Sequence, residues 1–266
     1  MAVELPLRGM RILVTRAREQ ADGMVKLLTD LGADVINIPT IEFVPPQSFQ
    51  PLDLALAHMN SYDWLILTSV NGVRALAKRA EKTNVSLGLL RSLKIVAIGS
   101  ATANEVGMLG LQAALVPEEY VAESVVTALK GKVFGKKVLV VRAKVGRDVI
   151  PDSLRAAGAE VVVAEAYETV LPVNSSGKIK ELLADEGRRP HVITFTSAST
   201  VKNFITILGK GNSPKIALQG VIIASIGPVT TATLIENGMQ VDVTANEYSV
   251  PGLVAALKKH FETLNR

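Results

Sequence analysis

The residues best placed for chemistry come in matched pairs. Gly99-Ser-Ala-Thr102 and Gly227-Pro-Val-Thr230 each follow an apolar run ending in Ile-Gly and open a helical stretch. If those runs are parallel strands, both loops lie at the carboxyl edge of a sheet. Free backbone N–H groups and helix dipoles attract carboxylate or phosphate there, and Pro228 suits a first helical position, which has no N–H bond to lose. The same residues also read as a tight turn followed by a capping threonine. Thr68-Ser69 and Thr196-Ser197 repeat the arrangement, with Asn71 and Ser199 close behind. Their hydroxyls either donate to a ligand carboxylate or cap the next helix. Neither pair stands in a Gly-x-Ser-x-Gly elbow, so a serine nucleophile is not indicated.

Cations and one phenol complete the set. Arg16 and Arg142 end matched apolar runs, where a guanidinium offers a two-pronged donor to a carboxylate; a solvated surface cation is the alternative. Arg18, Lys144 and Arg147 thicken the positive field nearby. Tyr120 and Tyr248 follow Glu119 and Glu247 as a further repeat pair, which points to packing. Tyr167, in Ala-Tyr-Glu-Thr, has no tyrosine counterpart, because Thr40 and Ile41 occupy that region of the other copy. A phenol there either donates a proton to a bound substrate or sits as an ordinary half-buried strand residue.

Other chemistries find no residues to carry them. The chain has no cysteine, which excludes disulfides, thiolate catalysis and cysteine-bound metal. His58, His191 and His260 are far apart and form no metal-ligand pair, so no metal site is expected. There is no Gly-x-Gly-x-x-Gly after a strand, and Gly131-Lys-Val-Phe-Gly135-Lys-Lys has the wrong spacing for a phosphate loop, so nucleotide cofactors are disfavoured. A net charge of +4 from scattered Lys and Arg suits a small anion better than nucleic acid. No apolar run approaches the roughly 20 residues needed to span a bilayer. The start, MAVELPLRGMRILVTRA, has no export signal, which predicts a cytoplasmic protein without a membrane partner.

What positions these residues is a duplication. Shifted by 128, residues 95–130 and 223–258 agree at 12 of 36 positions, against roughly two expected from average composition. The same shift pairs Leu65–Ser69 with Ile193–Ser197, and a shift of 126 pairs Leu13–Ala17 with Leu139–Ala143. Within each copy, β-branched runs alternate with helical ones. Arg11–Thr15 reads as a strand. Ala21, Met24, Leu27, Leu28 and Leu31 mark one helix face, Gly32 stops that helix, and Val35–Ile38 resumes a strand. Strands alternating with helices predict an α/β fold of two similar doubly wound parallel-sheet domains, flavodoxin-like or Rossmann-like. The punctuating stretches Pro39–Pro51 and Pro172–Lys178 each follow an extended run, Ile36–Val44 and Val161–Leu171. Two crossings place an inserted domain at 43–167 within a discontinuous one at 1–38 plus 172–266, with 39–42 and 168–171 as a connecting two-stranded ladder. The repeat alone would cut the chain near residue 135 instead.

In order and spacing, six segments resemble the uroporphyrinogen-III synthase family: Leu13-Val-Thr-Arg16, Leu67-Thr-Ser-Val-Asn71, Ala97-Ile-Gly-Ser-Ala-Thr102, Ala166-Tyr-Glu-Thr169, Phe195-Thr-Ser197 and Ser225-Ile-Gly-Pro-Val-Thr230. The likeness covers essentially the whole chain. It implies two α/β domains joined by a β-ladder, an active site in the cleft between them, and a monomeric, cofactor-independent lyase of tetrapyrrole biosynthesis. The implied substrate is 1-hydroxymethylbilane, received from the preceding pathway enzyme and closed to uroporphyrinogen III with loss of water and inversion of ring D. On this resemblance Tyr167 assists departure of the hydroxyl. Thr102, Thr230, Ser69, Thr196 and Ser197, with the backbone at Gly99 and Gly227, grip carboxylates, and Arg16 and Arg142 add charge. Read without the resemblance, the residues also fit a two-domain cleft-closing protein that binds a small anion without catalysis, or a sugar-phosphate enzyme.

Overall fold

The computed structural model describes residues 5–119, 121–146, 148–209 and 213–264. The chain divides into two compact units, residues 1–42 with 170–266, and residues 43–169. The short aliphatic runs become strands: β1 (Arg11–Val14), β2 (Asp34–Asn37), β3 (Glu42–Val44), β4 (Trp64–Leu67), β5 (Lys94–Ala97), β6 (Ala113–Leu115), β7 (Lys137–Ala143), β8 (Glu160–Val170), β9 (Val192–Phe195), β10 (Ile222–Ser225) and β11 (Val243–Thr244).

The first unit holds a five-stranded sheet in the order β11-β10-β9-β1-β2, its strands paired in parallel. Alternate residues feed opposite layers. Leu13, Ile193, Phe195 and Ile223 join one core with Ile179, Leu182 and Phe204. Ile12, Val14, Val192 and Ala224 join another with Met24, Leu28 and Leu257. A sheet buried on both faces explains why these strands read as nearly unbroken apolar runs. The Arg18–Asp30 helix lays Ala21, Met24 and Leu28 on the sheet, but Leu27 is 36% exposed and only borders the predicted stripe. Gly32 ends that turn at φ +91°, where a Cβ would stand 2.8 Å from the Cβ of Leu5, so both conformation and space require glycine.

The second unit holds a six-stranded sheet, β3-β8-β7-β4-β5-β6. The strands paired by the sequence repeat occupy the same places in both sheets: β1 and β7, β2 and β8, β9 and β4, β10 and β5, β11 and β6. The units thus share one spatial order although their chains enter it at different strands. The connecting segments take definite form. β8 runs unbroken through Val170, β3 lies beside it, and the Pro172–Lys178 stretch already contains the first turn of the Ser175–Ala184 helix.

In each sheet the order reverses once, between β1 and β9 in the first unit and between β7 and β4 in the second. Adjacent loops at such a point leave in opposite directions and open a crevice at the strands' carboxyl ends.

The rings of Phe195 and Phe204 meet edge to face at 5.3 Å, and both side chains are fully buried. Phe204→Ala should cost about 3–5 kcal/mol of stability, read from the shift of a urea unfolding midpoint. A loss below about 1 kcal/mol would show that this layer collapses into the void and is not close-packed as described.

Candidate functional site

The reversal point of the first unit carries Arg16, two residues beyond the end of β1, and Thr196-Ser197, just beyond β9. The backbone that presents Arg16 is pinned by buried threonines. The Thr15 hydroxyl donates to the Thr194 carbonyl at 2.7 Å, and the Thr40 hydroxyl lies 3.2 Å from the carbonyls of Thr15 and Thr200. In the sequence Thr15 figures only in a strand and motif and Thr40 only as the counterpart of Tyr167, and neither reading points to these bonds. Their signal is a hydroxyl inside an otherwise aliphatic stretch, where it needs a buried partner. Arg16 is half-buried, and its Nε has no hydrogen-bond partner among the described residues. Burial pulls its pKa down from the usual range, which is the cost of holding an unneutralised cation away from water. A carboxylate at this position would relieve that cost.

Ser197 caps the Ala198–Leu208 helix. Its Oγ accepts the Thr200 N–H at 3.2 Å and lies 2.9 Å from the Ser199 hydroxyl, while Thr200 Oγ1 accepts the Ser197 N–H. Thr196 is half-buried, and its side chain bonds to no described residue. Gly227 opens the Pro228–Glu236 helix with an extended backbone that any residue adopts. The Tyr248 side chain lies over it, and a Cβ there would stand 2.9 Å from a ring carbon unless that exposed side chain moved aside. Beside β2, a cavity of about 410 Å³ is lined in part by Arg18, Asn37 and Lys178, and the buried Oδ1 of Asn37 has no partner among the described residues. A larger hollow of about 740 Å³ lies at the amino end of β10, among Leu218, Ile222 and Met239. It is on the opposite edge from the predicted residues, so size alone does not mark the site.

In the second unit the reversal point lies between Ser69, just past β4, and Arg142, near the end of β7. Ser69 caps the Val70–Lys82 helix and accepts the Gly72 N–H at 3.1 Å. Gly99 opens the Ser100–Met108 helix at φ +92°, ψ 154°, a region reserved for glycine. Arg142 does not present the open fork expected of it, because its Nη2 donates to Asp148 at 2.6 Å. That partner comes from the loop six residues on, whose path spacing alone does not give. Thr102 and Thr230 are not caps either. Each is the third residue of its helix, with Gly99 and Gly227 at the cap positions. Both are 3–4% exposed, and their hydroxyls bond to no described residue. Tyr120 and Arg147 lie outside the described residues.

Tyr167 reaches this edge through an irregularity. On β8, Val162, Ala164 and Ala166 face the core beneath the Val70–Lys82 helix, and Val161 and Val163 face the other core. Strict alternation would turn Tyr167 to the second layer. The register with β7 instead jumps from Arg142↔Glu165 to Ala143↔Tyr167, so Ala166 is an extra residue and Tyr167 packs on the same core as Ala166. Such a bulge re-aims a side chain. The phenol then lies 2.9 Å from Ser69 Oγ and edge-on to the Phe43 ring at 5.6 Å. Burial raises its pKa, and the bond to Ser69 offsets that in part, so it is protonated at neutral pH. Beyond it, Glu168 takes Lys144 Nζ at 3.0 Å and the Gln47 N–H at 2.9 Å, and these bonds, Lys144 first, hold its carboxyl below the usual range.

Residues 22–255 match the family described as uroporphyrinogen-III synthase HemD. The chain is 37% identical over 259 residues to the uroporphyrinogen-III synthase of Synechococcus elongatus, covering 96% of this chain and 97% of that one. Its fold is similar to a mutant uroporphyrinogen III synthase from the extremely thermophilic bacterium Thermus thermophilus, with TM-score 0.69, 16% identity, and 96% and 100% of the two chains covered. It is also similar to the enzyme from Helicobacter pylori, with TM-score 0.58, 19% identity, and 97% and 100% covered.

The twin glycines should respond differently to alanine. Gly99→Ala should cost about 1–3 kcal/mol through backbone strain. Gly227→Ala should cost less than about 1 kcal/mol, because only the exposed Tyr248 side chain must move. Equal losses in thermal unfolding would contradict the distinction.

Proposed function

The chain belongs to the uroporphyrinogen-III synthase family, and we propose that it closes 1-hydroxymethylbilane to uroporphyrinogen III, without a cofactor, using Tyr167 as the proton donor. The observation that supports this reading is the Tyr167 phenol, turned by the β8 bulge to within 2.9 Å of Ser69 at a strand-end edge rich in hydroxyls and helix-opening amides. The substrate is a flexible chain of four pyrroles bearing eight carboxylates. Its terminal hydroxyl leaves as water once protonated, because the ring A nitrogen pushes electrons into the breaking C–O bond. The substituted carbon of ring D attacks the resulting methylene cation and forms a spiro intermediate. That intermediate fragments at ring D's old bond, and ring D recloses through its unsubstituted carbon, whose proton is released.

Spontaneous closure joins the nearer unsubstituted carbon and gives the uninverted isomer, so the protein's task is chiefly to dictate which carbon reacts. Orientation does this when many contacts fix one pose. Charge-assisted bonds to carboxylates contribute about 1.5–3 kcal/mol each, so a handful suffice. In this reading Arg16, whose Nε has no partner among the described residues, is the principal cation. Thr102, Thr196 and Thr230, with hydroxyls free of bonds to described residues, and the helix-opening amides at Gly99 and Gly227 add further contacts. Arg142 joins by exchanging Asp148 for substrate, an inexpensive exchange because that carboxylate is itself exposed. We assign the enzyme to the cytoplasm, working as a monomer on the product of the preceding pathway enzyme. Among the described residues no helix is long and apolar enough to cross a membrane. Family membership sets aside the non-catalytic binding protein and the sugar-phosphate enzyme.

Supplied with freshly made 1-hydroxymethylbilane, the purified protein should yield the type III isomer; type I alone would end this reading. Tyr167→Phe should lower kcat by about 100-fold with KM little changed. Arg16→Ala should raise KM about 10- to 100-fold, with Arg16→Lys intermediate, because a charged pair is lost from binding. An unchanged KM in Arg16→Ala would remove that residue from the substrate.

A further inference from the structure

Ser69 and Ser197 hold equivalent places in the repeat, and both cap a helix, yet their second partners differ. Ser197 turns to Ser199 and Thr200 on its own helix. Ser69 turns to the phenol of Tyr167. In the first unit the region matched to Tyr167 holds Thr40, whose hydroxyl reaches the carbonyls of Thr15 and Thr200. Among the described residues, only the second unit couples a helix-capping serine to a phenol. We infer that Ser69 is a positioning residue for Tyr167, not a ligand for a substrate carboxylate, and that it donates a hydrogen bond to the phenol oxygen as the proton leaves. The inference rests on the role proposed above for Tyr167.

A hydroxyl has one hydrogen and two lone pairs. One lone pair of Ser69 takes the Gly72 N–H, which fixes the side chain and makes its own O–H a stronger donor. If that hydrogen points to Tyr167 Oη, the phenol's proton is left to face the substrate. It passes to the hydroxymethyl oxygen, the C–O bond breaks, and water departs. The phenolate then has the Ser69 hydrogen bond and, behind it, the amino end of the 13-residue Val70–Lys82 helix, which favours negative charge. It regains a proton from the ring D carbon that loses one on final closure. The surrounding charged groups are engaged elsewhere: Lys144 with Glu168, Arg142 with Asp148, and on the helix Arg74 with Glu105 and Arg79 with Asp53. Glu42 on β3, Glu165 on β8, and Lys78, Glu81 and Lys82 on the helix make no bond to the phenol.

The test uses the full chain with four substitutions, three at Ser69 and Tyr167→Phe, and two readouts: kinetics on 1-hydroxymethylbilane, and titration of Tyr167 by tyrosine-selective NMR, its signal identified by loss in Tyr167→Phe. Ser69→Ala should move the Tyr167 titration to higher pH and lower kcat about tenfold, with KM within about twofold. Ser69→Thr keeps both bonds and should restore both values. Ser69→Asp still accepts the Gly72 N–H, so it controls for loss of the cap, but it cannot donate; its titration should move up and its kcat should fall. The inference is overturned if the titration of Ser69→Ala stays in place, if its loss lies wholly in KM, or if Ser69→Asp retains full kcat. The two roles separate cleanly. An unmoved titration beside a slow Tyr167→Phe removes Ser69 alone. A Tyr167→Phe enzyme with full turnover removes the acid role itself, even where Ser69→Ala shifts the titration.

Discussion

A parallel sheet covered on both faces has very few places where polar chemistry can occur. Every strand residue of β4 and β9 is buried, and the layers above and below are filled with aliphatic and aromatic side chains. A polar group placed among them must find a hydrogen-bond partner or destabilise the fold by kilocalories. The strands' carboxyl ends escape this constraint, because there the backbone turns outward and helix N–H groups stand unpaired. The residues proposed above for chemical roles collect at those ends, in both units. Arg16, Ser197 and Thr230 do so on one sheet, and Ser69, Thr102 and Tyr167 on the other.

Duplication supplied two copies of that edge, and the copies have since drifted toward different tasks. Gly99 is held by its backbone conformation, whereas Gly227 is held by the ring lying over it. Arg16 is desolvated, with its Nε unpartnered among the described residues, whereas Arg142 has a carboxylate within its own loop. A capping serine in one unit closes on its own helix, and its counterpart reaches a phenol. The steady part is the scaffold of strand order and helix openings. The variable part is which single side chain each opening is turned toward.

Much of this was legible in the sequence because burial and periodicity are properties of consecutive residues. The aliphatic runs gave the strands, the internal repeat gave two units of one design, and the motif pairs fell at the strand ends where the fold needs them. What escaped depends on atoms brought together from afar. That Thr102 and Thr230 lie inside their helices, with glycine at the cap, turns on one residue of helix phase. That Asp148 claims Arg142 turns on the path of a short loop. The threonine lattice at Thr15, Thr40 and Thr194 joins positions up to 181 residues apart, and no local pattern announces it.

The bulge at Ala166 has a consequence for how this protein can change over time. Because one surplus residue turns Tyr167 toward Ser69, the phenol's place depends on chain length as much as on side-chain identity. Loss of a single small residue from β8 would leave the tyrosine in the text of the protein but aim it into the opposite layer. With Tyr167 in the role proposed for it, descendants could therefore shed the reaction while keeping every chemically interesting letter. Conversely, a relative lacking a tyrosine at the aligned column could carry one a step away and place it just as well.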